Sequence, residues 1–153
     1  MRLPRIRLVW PLPRLPRRTG TDTDTGIGEV SYAPRANGRA DPGEVVWAWV
    51  PFEEDPSRGK DRPVLVLARR GGELLTLPLT SKDHDLDRSQ ENRSGRHWMD
   101  VGTGGWDRSG RASEVRLDRL VRLRDRDVRR EGAAIDRFVF ARVVEAARKY
   151  HPV

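Results

Sequence analysis

Five side chains lie where predicted strands end, and their types suit phosphate chemistry: Arg62 opens one strand, Thr80 and Ser81 close the next, and Arg116 and Asp118 follow on a later one. A guanidinium can stabilise the charge on a pentacovalent phosphorane while a hydroxyl binds a non-bridging oxygen. Arg116 and Asp118 are two residues apart and so alternate onto one face of a strand. There the arginine can clamp a phosphate or act as an acid, and the carboxylate can hold it in place or serve as a base. A surface arginine beside a polar turn, or a structural salt bridge, would have the same spacing.

The elements that must position these groups can be read from hydrophobic patterning. Order is expected to start near the turn Asp41-Pro42-Gly43, followed by the β-branched and aromatic run from Glu44 to Val50, which Pro51 stops. Its apolar residues fall on both faces, so the strand should be covered on both sides. A charged loop then leads into a strand over Pro63–Ala68. The turn Arg70-Gly71-Gly72 tolerates positive φ, and a third strand follows over Leu74–Leu79. Pro78 predicts an edge position or a bulge. Residues 81–96 read as a long polar loop without periodicity. Short strands are expected at His97–Val101, Ser113–Leu117 and Leu120–Leu123, with a short helical turn near Arg126–Arg130. Asp136 is a plausible helix N-cap, and Val139, Phe140, Val143, Val144 and Ala147 form one apolar face behind it. Five or six short strands and one closing amphipathic helix predict a mainly β (α+β) domain, a small SH3-like curled β-barrel.

Residues 1–41 read as a tail. The first twenty hold six Arg and four Pro with no acid, followed by a Thr/Asp/Gly stretch, which leaves a barrel domain over 42–153. The tail fits either a solvated leader or an electrostatic arm for nucleic acid or a membrane surface. A net charge of +7, carried mostly by Arg, favours an anionic partner such as RNA or DNA, although Arg-rich usage is also what GC-rich codons produce. The chain has no cysteine, so disulfides, Cys-ligated zinc and thiol catalysis are excluded. No apolar run reaches the ~20 residues of a membrane span, and a cytoplasmic location is the default expectation. The glycines at Gly102–Gly105 lack the following Lys and helix of a nucleotide-binding loop. Asp83, His84, Asp85 and Asp87 invite a metal reading, but a solvated acidic loop is the better one and no metal is assigned. Trp47, Trp49, Trp98 and Trp106 are each candidates for core or for a base-stacking platform, with the core favoured for Trp47 or Trp49.

Three segments occur in order: Gly43-Glu44-Val45-Val46-Trp47, Gly59-Lys60-Asp61-Arg62-Pro63-Val64-Leu65-Val66-Leu67 and Leu77-Pro78-Leu79-Thr80-Ser81. Together they resemble the pattern of the MazF/PemK toxin family, over roughly residues 43–148. That resemblance implies an SH3-like barrel, a homodimer and endoribonuclease activity on single-stranded RNA without metal or cofactor. It also implies neutralisation by a small antitoxin with an acidic tail. In this likeness Arg62 and Thr80 fall on the family's usual catalytic positions. Arg116-Leu117-Asp118 resembles the Arg-x-Asp that the PemK/Kid branch uses as acid and base. Ser81, Lys60, Arg58 and His84 flank these positions as candidate substrate contacts. The chain departs from the pattern in having Ser57-Arg58 where the family often has Glu-Gln, and one extra residue between Gly59 and Arg62. A non-catalytic nucleic-acid or partner-binding module on the same barrel is the alternative, and a membrane- or DNA-associated role led by the tail is a third reading.

Overall fold

A computed structural model describes residues 26–81, 88–93 and 95–152. The Arg-rich start of the chain and the stretch 82–87, which contains His84 and the metal-like carboxylates, lie outside the described residues.

Strand β1 spans Glu44–Pro51, β2 Gly59–Arg70 and β3 Glu73–Thr80; a short helix, α1, covers Arg88–Arg93. Strands β4 (Trp98–Gly102), β5 (Ser113–Arg116), β6 (Val121–Arg124) and β7 (Val128–Ala134) follow, and α2 (Arg137–Arg148) closes the chain. All pairings are antiparallel. The sheet order is β4-β5-β3-β2-β1-β7, with β6 paired to the remaining length of the β3 edge that β5 uses. This curled half-barrel with a terminal helix is the expected fold class.

Alternation on β1 and β2 produces two cores, one on each face of the sheet. Val45, Leu65, Leu67, Leu77, Leu79 and Val115 join the buried face of α2, made by Phe140, Val143, Val144 and Ala147. Val46, Ala48, Val50, Val64, Val66, Leu74, Val121 and Leu123 form a smaller cluster on the other face. Coverage of β1 on both sides is therefore as its sequence predicts. The α2 cap is also as expected, with the Asp136 carboxylate accepting from the backbone N–H groups of Phe138 and Val139.

Four differences from expectation have physical causes. The packed domain begins before residue 42: Ile27 is fully buried in the larger core, and Tyr32 donates its hydroxyl to the Ile135 carbonyl. Residues 81–96 hold the helix α1, whose Glu91 pairs with Arg96 at 2.9 Å and accepts from the Trp98 indole at 2.9 Å. That buried carboxylate ties an otherwise polar segment to β4. Residues 125–127 form the helical turn, but the chain then continues as β7, whose sequence VRREGAA has no strand alternation. It pairs with β1 through two register shifts. A Cβ on Gly132 would collide with the Val45 carbonyl, so glycine permits this close approach. Finally, Pro78 is in an interior strand. On one side it is opposite Val64; on the other it falls between the β6 ladder, which ends at Thr76, and the β5 ladder, which begins at Leu79. Pro78 therefore has a ladder partner on one edge only, which a residue without an N–H tolerates.

Candidate functional site

The smaller core ends where the polar site begins. In β2, Val64 and Val66 are buried in that cluster, and two residues earlier the same face carries Arg62, half-buried and opposite Ala48 of β1. The β2–β3 register places Val64 opposite Pro78, and carrying it two residues further sets Arg62 opposite Thr80. Thr80 is in turn the cross-strand partner of Glu114 in β5, and Arg116 is two residues on from Glu114 along that strand. Directly opposed residues share a face, so one surface carries Arg62, Thr80 and Arg116 at the mouth of the barrel.

Arg116 is 8% exposed, and each two-donor edge of its guanidinium is taken by a carboxylate. Asp118 takes one edge, accepting from Nε at 3.1 Å and Nη2 at 2.8 Å. Glu53 takes the other, accepting from Nη1 at 2.9 Å and Nη2 at 3.1 Å. Burial works against the charge on Arg116, but its hydrogen bonds to Asp118 and Glu53 outweigh it and hold its pKa above the ordinary value. Asp118 is itself fixed, because its Oδ1 also accepts the His97 backbone N–H at 2.7 Å. The chain around it is clamped again by Leu117 N–H donating to the His97 carbonyl. His151 Nε2 lies 2.9 Å from the Leu117 carbonyl, and the His97 ring stacks on Tyr150 at 4.5 Å, so the residues just after α2 brace this corner.

Arg62 differs from Arg116 in its electrostatics. Burial lowers its pKa first, then repulsion from Arg119 and Arg116, with Glu54 only partly opposing. Arg119 is also lowered, first by burial, with Arg116 adding to the shift and Glu53 opposing it; its Nη2 donates to the Pro51 carbonyl at 2.7 Å. Arginine stays charged at neutral pH whatever these shifts. Burial is the main cause in both cases, and the three arginines are interleaved with the carboxylates of Glu53, Glu54 and Asp118.

Of the sequence-predicted residues, Arg62, Thr80, Arg116 and Asp118 come together here. Lys60 is exposed two residues before Arg62 on the same strand, and Ser81 is exposed just past Thr80. Arg58 is exposed on the β1–β2 loop with its guanidinium 5.7 Å from the Phe52 ring centroid. Among the tryptophans, Trp106 is buried in the larger core, while Trp47, Trp49 and Trp98 are half-buried. Trp47 donates to the Trp106 carbonyl at 2.7 Å.

Residues 41–151 match the family described as PemK-like, MazF-like toxins of type II toxin–antitoxin systems. The chain belongs to this family. Among solved structures, MazF from Deinococcus radiodurans aligns with a TM-score of 0.50 at 22% identity, over 72% of this chain and 94% of that one. A MazE–MazF complex from the same organism aligns with a TM-score of 0.47 at 21% identity, over 70% and 91% of the respective chains. Mycobacterium tuberculosis toxin MazF-mt6 aligns at 0.41 and 17%, over 67% and 94%. No curated protein sequence matches the chain.

Against this PemK/MazF background, two site residues carry no sequence signal of their own. Arg119 follows the Arg-x-Asp directly and reads as part of a tight step between strands. Glu53 is one acid in a charged loop, and only the closure of that loop brings it onto Arg116. Phe52 N–H donates to the Arg58 carbonyl, Arg58 N–H to the Asp55 carbonyl, and the Asp55 carboxylate accepts from Ser57. Among the described residues, no group of His, Asp and Glu is arranged to hold a metal ion, and no helix is long and apolar enough to cross a membrane.

Proposed function

We propose that this chain is the toxin component of a type II toxin–antitoxin system, an endoribonuclease that cleaves single-stranded RNA without a metal ion. The observation that carries the reading is the gathering of Arg62, Thr80 and Arg116 on one face of the sheet, with Arg62 lowered in pKa first by burial and then by the nearby Arg119 and Arg116. Guanidinium groups beside a hydroxyl suit a phosphate, which they can bind through paired charge-assisted hydrogen bonds. In the proposed reaction the ribose 2′-OH attacks the adjacent phosphorus. The 2′-O–P bond forms as the P–O5′ bond breaks, the 2′ proton leaves to solvent and the 5′ oxygen takes one up. The products are a 2′,3′-cyclic phosphate and a 5′-OH.

Arg62 and Arg116 stabilise the charge of the phosphorane, and the Thr80 hydroxyl donates to a non-bridging oxygen. Both oxygens of Asp118 are engaged by Arg116, and Oδ1 also by the His97 N–H, which favours a positioning role for it over that of base. Lys60, Arg58, Ser81 and His84 are proposed as contacts for flanking nucleotides. Membership of a type II toxin–antitoxin family supports an antitoxin as partner; a small acidic-tailed antitoxin, a homodimeric state and action in the cytoplasm belong to the proposal.

Incubation of purified protein with a weakly structured RNA in EDTA tests the reading. Cleavage is expected, and binding should weaken as salt rises because backbone contacts release counterions. Salt-sensitive binding with no cleavage would instead leave a non-catalytic RNA-binding module.

A further inference from the structure

Both edges of the Arg116 guanidinium are occupied, which conflicts with using it as a phosphate clamp. An arginine has five N–H donors. Nε and Nη2 face Asp118, while Nη1 and Nη2 face Glu53, so no two-donor edge remains for a phosphate. One carboxylate must therefore leave before Arg116 can bind bidentately.

The two carboxylates are not equivalent. The Asp118 side chain is 13% exposed, grips the guanidinium through Nε and Nη2 and is pinned by the His97 backbone. The Glu53 side chain is 55% exposed and sits on the β1–β2 loop. We propose that Glu53 is a displaceable internal anion that occupies the phosphate-binding edge of Arg116 and so sets the site's affinity for phosphate groups. This rests on reading the site as one that binds an RNA phosphate. Glu53 caps the cation while the site is empty, and an incoming phosphate takes over its two hydrogen bonds as the side chain turns out to solvent. Apparent affinity is then reduced by the fraction of molecules in which Glu53 is in place.

The test compares wild type, Glu53→Gln and Glu54→Gln. The last removes an equal charge from the same loop, one that acts through space on Arg62 and Arg119. Inorganic pyrophosphate binding is followed by calorimetry, and a short 2′-O-methyl RNA, which cannot be cleaved, by fluorescence anisotropy. Thermal melting checks the fold, which Asp118 should preserve in both variants. Glu53→Gln is expected to bind pyrophosphate about tenfold more tightly, and Glu54→Gln by no more than the general change in charge, about two- to threefold. An unchanged or weaker affinity for Glu53→Gln, or an equal gain in both variants, overturns the proposal. Selective tightening for pyrophosphate in a protein that does not bind the RNA would keep the role of Glu53 and reject RNA as the ligand.

Discussion

Arg62→Ala is expected to reduce RNA cleavage by about a hundredfold or more while leaving the melting temperature unchanged or slightly raised. The loss follows from removing a preorganised cation from the place where transition-state charge develops, an effect of about 10²–10³ for a single such donor. The stability follows from the same electrostatics with opposite sign. Arg62 is half-buried, and burial together with Arg119 and Arg116 disfavours its charged form, so the folded protein loses a repulsion when the side chain is truncated. Arg62→Lys should recover only part of the rate, because an ammonium keeps the charge without the planar fork. Rates on a labelled RNA and a thermal melt of each variant check this. A variant with a wild-type rate, or one that melts far below wild type, would contradict it.

Asp118→Ala is expected to lose activity and stability together. The substitution leaves a guanidinium that is 8% exposed without one of its two counter-charges and takes the acceptor from the His97 N–H. Removing one partner of a buried pair costs about 3–5 kcal/mol; because Glu53 remains on the other edge, about 3 kcal/mol is expected here. Asp118→Asn separates the two roles a carboxylate can have at this position. A positioning residue loses its charge and one Arg116 contact, so stability and rate should fall together. A general base would share the stability loss but would also set a limb of the pH–rate profile, which the amide would abolish. Chemical denaturation and the pH dependence of cleavage distinguish the outcomes: a joint loss of stability and rate with the shape of the pH profile unchanged is expected.

The central strands were legible because their residues carry the signal locally. The β-branched run of β1, the apolar core of β2, the Gly71-Gly72 turn and the Asp136 cap each specify their own element, and with them the position of Arg62 and Thr80. Features that depend on distant partners could not be read in this way. Strand β7 has no alternation, and it is held by the close approach of Gly132 to the Val45 carbonyl. The helix α1 is polar throughout and depends on the contacts of Glu91 with Arg96 and Trp98. Ile27 and Tyr32 lie in a segment whose Thr, Asp and Gly content suggests a tail, yet both pack against the core and Tyr32 also bonds the chain just before α2. At the site, the Arg-x-Asp spacing identifies Arg116 and Asp118. That Arg119 adds a third cation and Glu53 a second carboxylate emerges only when β5 and the β1–β2 loop meet.

Product chemistry tests the central claim most directly. Wild-type protein is incubated in EDTA with a mixed-sequence RNA and with its 2′-O-methyl counterpart, and the ends of any fragments are identified by mass spectrometry. Cleavage confined to the ribose strand, with 2′,3′-cyclic phosphate and 5′-OH ends that disappear in Arg62→Ala, is the predicted result. Cleavage of the 2′-O-methyl strand, fragments bearing 5′-phosphates, or two intact strands would contradict it.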